Sequence, residues 1–349
     1  MMIRRKFIQS IAGLIFIVAV AVRGCYIKNP LISGETMGTS YSITINGYVF
    51  RSKLSELENT VEDCLKDVSS QMSTWDSMSE ISSFNASRNK GPHPISEEFA
   101  LVIKRSLELS ESTGGAFDPT LQPLLNLWGF GSEGGEYQVP SAEDIEETKS
   151  KTGWDKLWIE DGKILWKSNP EIQLALGAIA KGHGVDEVSL LLEKAGFQNW
   201  FVEVGGEVKV KGLNPNGIPW RIGIQYPTTN PMDSRLQGVL NVNSGAIATS
   251  GDYRNYIFEN GVIYSHIIDP RSGYAVLSNT ASVTVIAPSC MDADGIATAL
   301  FVMGVKDGST WIENVSGVEA MFLLRDENGE ISEKFSSGFV AVTGYNRRP

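Results

Sequence analysis

The chain has 349 residues, 42% of them hydrophobic, with 35 glycines and three cysteines, enough for one large domain or two closely packed ones. Nothing repeats at a period of about 20–50 residues, and no stretch is biased enough in composition to stay unfolded, which excludes a solenoid and a disordered chain. The formal charge is −11; setting aside residues 1–24, which hold four of the 30 Lys/Arg and none of the 41 Asp/Glu, makes it −15, and so acidic a body argues against nucleic acid as a partner.

The first 24 residues read as an address rather than as fold. Arg4, Arg5 and Lys6 give a basic start, Ile11 to Val22 an apolar run, and Arg23-Gly24-Cys25 a cut site. This is the layout of a secretory signal of the bacterial lipoprotein type, with Cys25 as the lipidated first residue; an uncut membrane anchor is the alternative. Either reading puts the rest of the chain outside the cytoplasm, and acyl chains on Cys25 would tether it to a membrane. Residues 25–35, with Pro30 and Gly34, read as a tether, leaving 36–349 as the working domain.

Alternation predicts a strand over Thr39 to Ile45. Leu54, Leu57, Val61, Leu65 and Val68 recur at helical spacing within a helix over 52–72. A polar loop around Trp75 follows over 73–85, then a helix over 96–110 capped by Ser96 and ended by Thr113-Gly114-Gly115. A short apolar helix is expected over 119–128, a glycine-rich loop over 129–140, a capped acidic helix over 141–151, and a hairpin over 157–166 turning at Asp161-Gly162. Leu174 to Leu176 reads as a buried strand and 180–195 as a helix stopped by Gly196. Strands are predicted at 200–211, 220–226, 237–243, 255–259, 263–268 and 280–287, helices at 291–303 and 308–315, and closing strands at 319–324 and 338–342. The expected fold is α+β, a mixed α/β domain with a large, mostly antiparallel sheet flanked by helices. With Cys25 set aside, Cys64 and Cys290 read as two semi-buried free thiols, and no Cys or His spacing suggests zinc.

Four stretches carry chemistry. Asp294 and Thr298 are four apart near a helix start, so a carboxylate and a hydroxyl share one face, a hard-oxygen arrangement suited to magnesium; alternatively Asp292 and Asp294 are N-terminal charges that favour the helix dipole. Leu176 to Gly184 joins a strand to a helix with small residues and Lys181, which suits a phosphate or simply close packing. His266 sits at a strand end before Asp269-Pro270-Arg271, in the position of a general base or of a structural histidine. Ser250, in Thr249 to Arg254, lies in a polar loop without a nucleophile-elbow pattern. Trp75 reads as a stacking surface for a planar ring or as a core plug.

Together these stretches resemble the ApbE family of FAD:protein FMN transferases. The matching segments are Glu35 to Tyr41, Ser73 to Trp75, Gly115 to Thr120, Leu124 to Gly131, Leu176 to Gly182, Gly205 to Glu207, Thr249 to Arg254, His266 to Pro270 and Asp294 to Thr298. They fall in family order along nearly the whole chain after residue 24. The resemblance implies an ApbE/T-fold-like architecture and a Mg²⁺-dependent reaction. FAD is the substrate, a client protein's threonine attacks the FMN phosphorus, and AMP leaves. It assigns the metal to Asp294, Thr298 and the Ala178 carbonyl, and the base to His266. It assigns FAD contacts to Met37, Trp75, Ala116, Phe117, Asp118, Lys181, Ser250, Ile268 and Arg271. The client it implies is an exported flavoprotein subunit of a membrane redox complex, at the periplasmic face of the bacterial inner membrane. Two departures stand out: Ala175 where the family has an acid, and Trp75 where tyrosine is common. Competing readings are a Mg²⁺-dependent FAD pyrophosphatase and a lipoprotein that binds FAD, or another solute, without catalysis.

Overall fold

The computed structural model describes residues 25–133, 135, 137–228, 230, 232–253, 256–259 and 262–348. The signal-like stretch 1–24 and Arg254 lie outside the described residues.

Eight strands form one sheet, and every neighbouring pair in it is antiparallel. From edge to edge they run Ile331–Phe335, Glu319–Arg325, Thr280–Ala287, Ser244–Gly251, Glu207–Lys211, Trp200–Val204, Thr39–Ile45 and Leu31–Thr36. Period-two alternation sends Val283, Val285 and Ala287 to one face and Ile286 to the other, so both faces carry a core. The helices Arg51–Met72, Ala180–Lys194 and Cys290–Ile312 cover one face. A small sheet of Trp220–Gln225, Leu236–Val242 and Asn346–Arg347 covers the other, meeting Val208, Val210, Ile247 and Met321. Within Arg51–Met72 the buried residues are Leu54, Leu57, Val61, Leu65, Val68 and Met72, the stripe that the sequence spacing predicts.

The helices Ala180–Lys194 and Cys290–Ile312 cross at Gly182. A Cβ there would lie 2.8 Å from Met291 Cα and closer still to the Cys290 carbonyl. Both neighbours are backbone and cannot swing aside. Gly182→Ala should therefore lower unfolding stability by about 1–3 kcal/mol, the usual cost of overpacking. A denaturant midpoint equal to wild type would show that the crossing is looser than this geometry requires.

Several elements differ from expectation. The tether at 25–35 is instead structured: Tyr26–Lys28 pairs with Tyr48–Phe50, and Leu31–Thr36 is the sheet's edge strand, with Ile32 buried. The loop at 73–85 contains the helix Glu80–Ala86, whose first turn is capped when Ser79 Oγ accepts from Ser82 N at 3.1 Å. The short helix expected from Pro119 is Gln122–Leu127, with Pro123 in its first turn. Leu174 to Leu176 is not a strand, because its partner is a side chain: Leu174 N donates to Asn85 Oδ1 at 2.6 Å and Leu174 O accepts from Asn85 Nδ2 at 2.9 Å. Ser244–Gly251, expected to end in a polar loop, is a central strand of the main sheet. The strand expected at 338–342 is instead the helix Phe339–Thr343, preceded by Gly338, and its buried residues Phe339 and Thr343 are four apart. The charged strand Ile331–Phe335 forms the far edge of the sheet. The helices expected at 291–303 and 308–315 form one run, broken by Gly304 at φ 72°. Cys64 and Cys290 are free thiols, and burial pushes Cys64 up to about 11.

Candidate active site

The site is organised by the first turns of Cys290–Ile312. Ser289 caps this helix, accepting from Asp292 N at 3.2 Å. Asp186, on the neighbouring helix, secures the same end. Its carboxylate accepts from Ser289 Oγ at 2.8 Å, Cys290 N at 3.0 Å and Met291 N at 2.9 Å. Lys209 sits 2.6 Å from it and balances its charge.

The two aspartates of the motif then part company. Asp292 turns away to Arg105 Nε at 2.6 Å, a helix-start charge with a partner of its own. Asp294 points inward and is buried, and its Oδ2 accepts from Gly182 N at 3.1 Å. Lys181 Nζ stands 3.6 Å from the same oxygen, donates to the Gly177 carbonyl at 3.1 Å, and lies 3.5 Å from Glu207 Oε1. One turn along the helix, the Thr298 hydroxyl is 2.9 Å from Ser250 Oγ. Ser250 reaches it because Ser244–Gly251 is a strand lying under the helix, so a serine placed by sequence in a polar loop belongs to the sheet.

Several of the other selected segments pack next to this helix start, and the rest have contacts of their own. Ala178 lies in the turn before Ala180–Lys194, where Ile179 N and Ala180 N both donate to Leu176 O, at 3.0 and 2.8 Å. Ile179 and Phe117 both reach within 3.6 Å of where a Gly295 side chain would be, so these two loops close on the residue after Asp294. Met37 packs against Gly184 on the same helix as Lys181. Ala116 and Phe117 are buried. The Arg271 stem runs beside Gly115, while its guanidinium bonds Asp269 at 2.9 Å through both Nε and Nη2. Ile268 is buried and bridges to Ala275. His266 is half-buried, with Phe130 edge-on at 6.3 Å.

Two residues stand differently. Asp118 is fully engaged within the protein: Oδ1 accepts from Thr120 N at 2.7 Å and Thr120 Oγ1 at 2.6 Å, and Oδ2 from Trp154 N at 3.1 Å. Burial pushes its carboxyl above the usual range, against the pull of those hydrogen bonds. Trp75 is 74% exposed, which rules out the core plug and leaves a free aromatic face. A separate cleft of about 310 Å³, bordered by Arg88, Asn126, Lys151, Glu171 and Gln173, is lined by none of the residues assigned to the metal, the base or FAD.

Among the described residues no three His, Cys, Asp or Glu side chains stand together as a metal cluster. The oxygen donors at this helix start are the buried carboxylates of Asp294 and Glu207, the Thr298–Ser250 hydroxyl pair and backbone carbonyls. That set fits a hard cation that completes its shell with water and phosphate oxygens, and it does not suit a soft metal.

A three-layer α+β domain with a buried carboxylate, a lysine and paired hydroxyls at a helix start is arranged as an enzyme for phosphate chemistry. The ApbE family model matches residues 37–322, and the chain belongs to that family. It is 40% identical over 311 residues to the FAD:protein FMN transferase of Vibrio cholerae, covering 88% of this chain and 91% of the relative. It is 37% identical to the enzyme of the same description from Haemophilus influenzae, over 96% of this chain and 98% of the relative. The fold matches the flavin transferase ApbE from Vibrio cholerae with a TM-score of 0.82 and 38% identity, covering 90% of this chain and 99% of that one. It matches the apo flavinyl transferase ApbE from Pseudomonas stutzeri with a TM-score of 0.81 and 36% identity, over 91% and 97% of the two chains.

Sequence reasoning did not find Asp186, Asn85 or a role for Glu207. Asp186 and Cys290 are 104 residues apart, and Asn85 and Leu174 are 89 apart. No local period marks such pairs.

Proposed function

We propose that the chain is an FAD:protein FMN transferase, moving FMN from FAD to a threonine hydroxyl of a client flavoprotein. The reading is carried by the buried Asp294, Lys181 and Glu207 cluster beside the Thr298–Ser250 hydroxyl pair, in a chain matched by the ApbE family model over residues 37–322. In the reaction the threonine oxygen bonds to the FMN phosphorus, the bond from that phosphorus to the bridging oxygen breaks, and AMP departs with that oxygen. His266 takes the threonine proton. Lys181 places positive charge at the pyrophosphate. Met37, Ala116, Phe117, Ile268 and Arg271 form the wall against which FAD lies, and Asp118 holds the loop that carries Ala116 and Phe117. The exposed ring of Trp75 offers a face to the flavin or adenine. Asp294, Thr298 and the Ala178 carbonyl would hold Mg²⁺, which neutralises charge on the pyrophosphate when bound.

Incubating the protein with FAD, Mg²⁺ and a candidate client domain should release one AMP for each FMN attached to the client, which then runs as a fluorescent band in a denaturing gel. Free FMN with an unlabelled client would make the enzyme an FAD pyrophosphatase, and tight FAD binding without AMP would make it a carrier. The position of Cys25 directly after the signal-like stretch supports lipidation, and the client implied by the family resemblance points to the periplasmic face of the inner membrane. There it would meet an exported flavoprotein subunit of a membrane redox complex. Cys25→Ser should release the protein from the membrane fraction; unchanged membrane retention would contradict the anchor.

A further inference from the structure

Glu207 opens the strand Glu207–Lys211 directly after the Gly205–Gly206 turn. Its side chain is as buried as that of Asp294, each 5% exposed, and the Lys181 ammonium stands between them at 3.5 and 3.6 Å. The backbone is shaped for this. Gly205, at φ 62°, lets the lysine stem pass, because a Cβ there would lie 3.2 Å from Lys181 Cδ and 2.8 Å from Thr39 Cγ2. Two buried carboxylates thus draw on the same ammonium, and buried charges depend strongly on the partners they keep. Lysine is a point charge on a flexible stem, so its partners decide where it stands. A cation engaging Asp294 removes one of those partners and repels the ammonium. Glu207 is then the carboxylate that keeps it in place.

We propose that Glu207 is a positioning residue, retaining Lys181 beside the FAD pyrophosphate once a divalent cation occupies Asp294. This rests on reading Asp294 as the metal ligand and FAD as the substrate. Equilibrium FAD binding, followed by flavin fluorescence without any client, tests it. With Mg²⁺ present, Glu207→Gln should weaken FAD binding about tenfold, the scale of one charge-assisted contact. Lys181→Met should weaken it by a similar factor, and the double variant no further than the worse single one, because both remove the same contact. Without Mg²⁺ the Glu207→Gln effect should shrink, since Asp294 then also holds the lysine. Glu207→Asp, keeping the charge on a shorter arm, should recover part of the loss and can replace Glu207→Gln in the cycle if that variant fails to fold. Multiplying losses in the double variant, a loss equal with and without Mg²⁺, or no loss at all would each overturn the proposal. Asp294→Ala separates the two failures. If it leaves the Mg²⁺ dependence of FAD binding as in wild type, the metal reading itself falls. If it abolishes that dependence while Glu207→Gln matches wild type, only the role of Glu207 falls.

Discussion

His266→Ala is expected to slow flavin transfer by a factor of about 10²–10⁴, the range for a general base, while FAD binding stays close to wild type. The factor corresponds to about 3–5 kcal/mol of lost transition-state stabilisation. The chain beside the imidazole is held by many groups other than the ring. The segment after it is closed by its own hydrogen bonds: Val276 N to Ile267 O at 2.9 Å, Asp269 N to Tyr274 O at 2.8 Å and Gly273 N to Asp269 O at 2.7 Å. Trp128 Nε1 pins the same turn by donating to Gly273 O at 3.1 Å. Ile267 on one side is buried in the main core, and Ser265 on the other is also buried. Phe130 meets the ring edge-on at 6.3 Å. The loss should therefore fall on the chemical step. Single-turnover labelling of a client, read by in-gel flavin fluorescence, measures it, with the thermal midpoint as a check on folding. A wild-type labelling rate in this variant would remove His266 from the mechanism.

What could be read from the sequence was what local periodicity controls. The strand Thr39–Ile45 and the buried stripe of Arg51–Met72 follow from alternation and helical spacing. The hairpin turn at Asp161-Gly162 has φ values of 49° and 71°, the left-handed geometry that this pair favours. The strand Ser244–Gly251 escaped for the opposite reason. It is built of small residues such as Ala246 and Ala248, because a helix lies directly on it, and small residues carry little strand signal. Its identity comes from pairing with Glu207–Lys211 and Thr280–Ala287, neighbours distant in sequence. The candidate site divides along the same line. Asp294 and Thr298 share a helix face by spacing alone, and that part was visible. Which of Asp292 and Asp294 turns inward was not, because Arg105 decides it from another helix. Glu207 was visible only as the end of a glycine turn, and its meaning comes from Lys181, brought to it by the packing of a helix on the sheet.

Asp294→Ala should have the larger effect, reducing transfer about 10³-fold or more and removing its dependence on Mg²⁺, since a bound metal is worth several kcal/mol of transition-state stabilisation. The local charges explain why. In the intact site the buried Asp294 carboxylate shares the Lys181 ammonium with Glu207, and a divalent cation would give it a stronger positive partner. Without Asp294 that charge is gone, while Lys181 keeps its contact with Glu207. Alanine also deprives the Gly182 amide of its acceptor, so part of any loss could be structural, on the order of 1–3 kcal/mol of stability. Asp294→Asn separates the two causes. It keeps an oxygen for the Gly182 amide and nearly the same volume, but not the charge. Its unfolding midpoint should stay close to wild type while its transfer rate falls as far as that of the alanine variant. Asp292→Asn is the matched control two residues away. Its charge serves Arg105, so its loss should leave the Mg²⁺ titration unaltered. If Asp294→Asn instead titrates with Mg²⁺ as wild type does, the cation does not bind this carboxylate, and the buried charges serve only to hold Lys181.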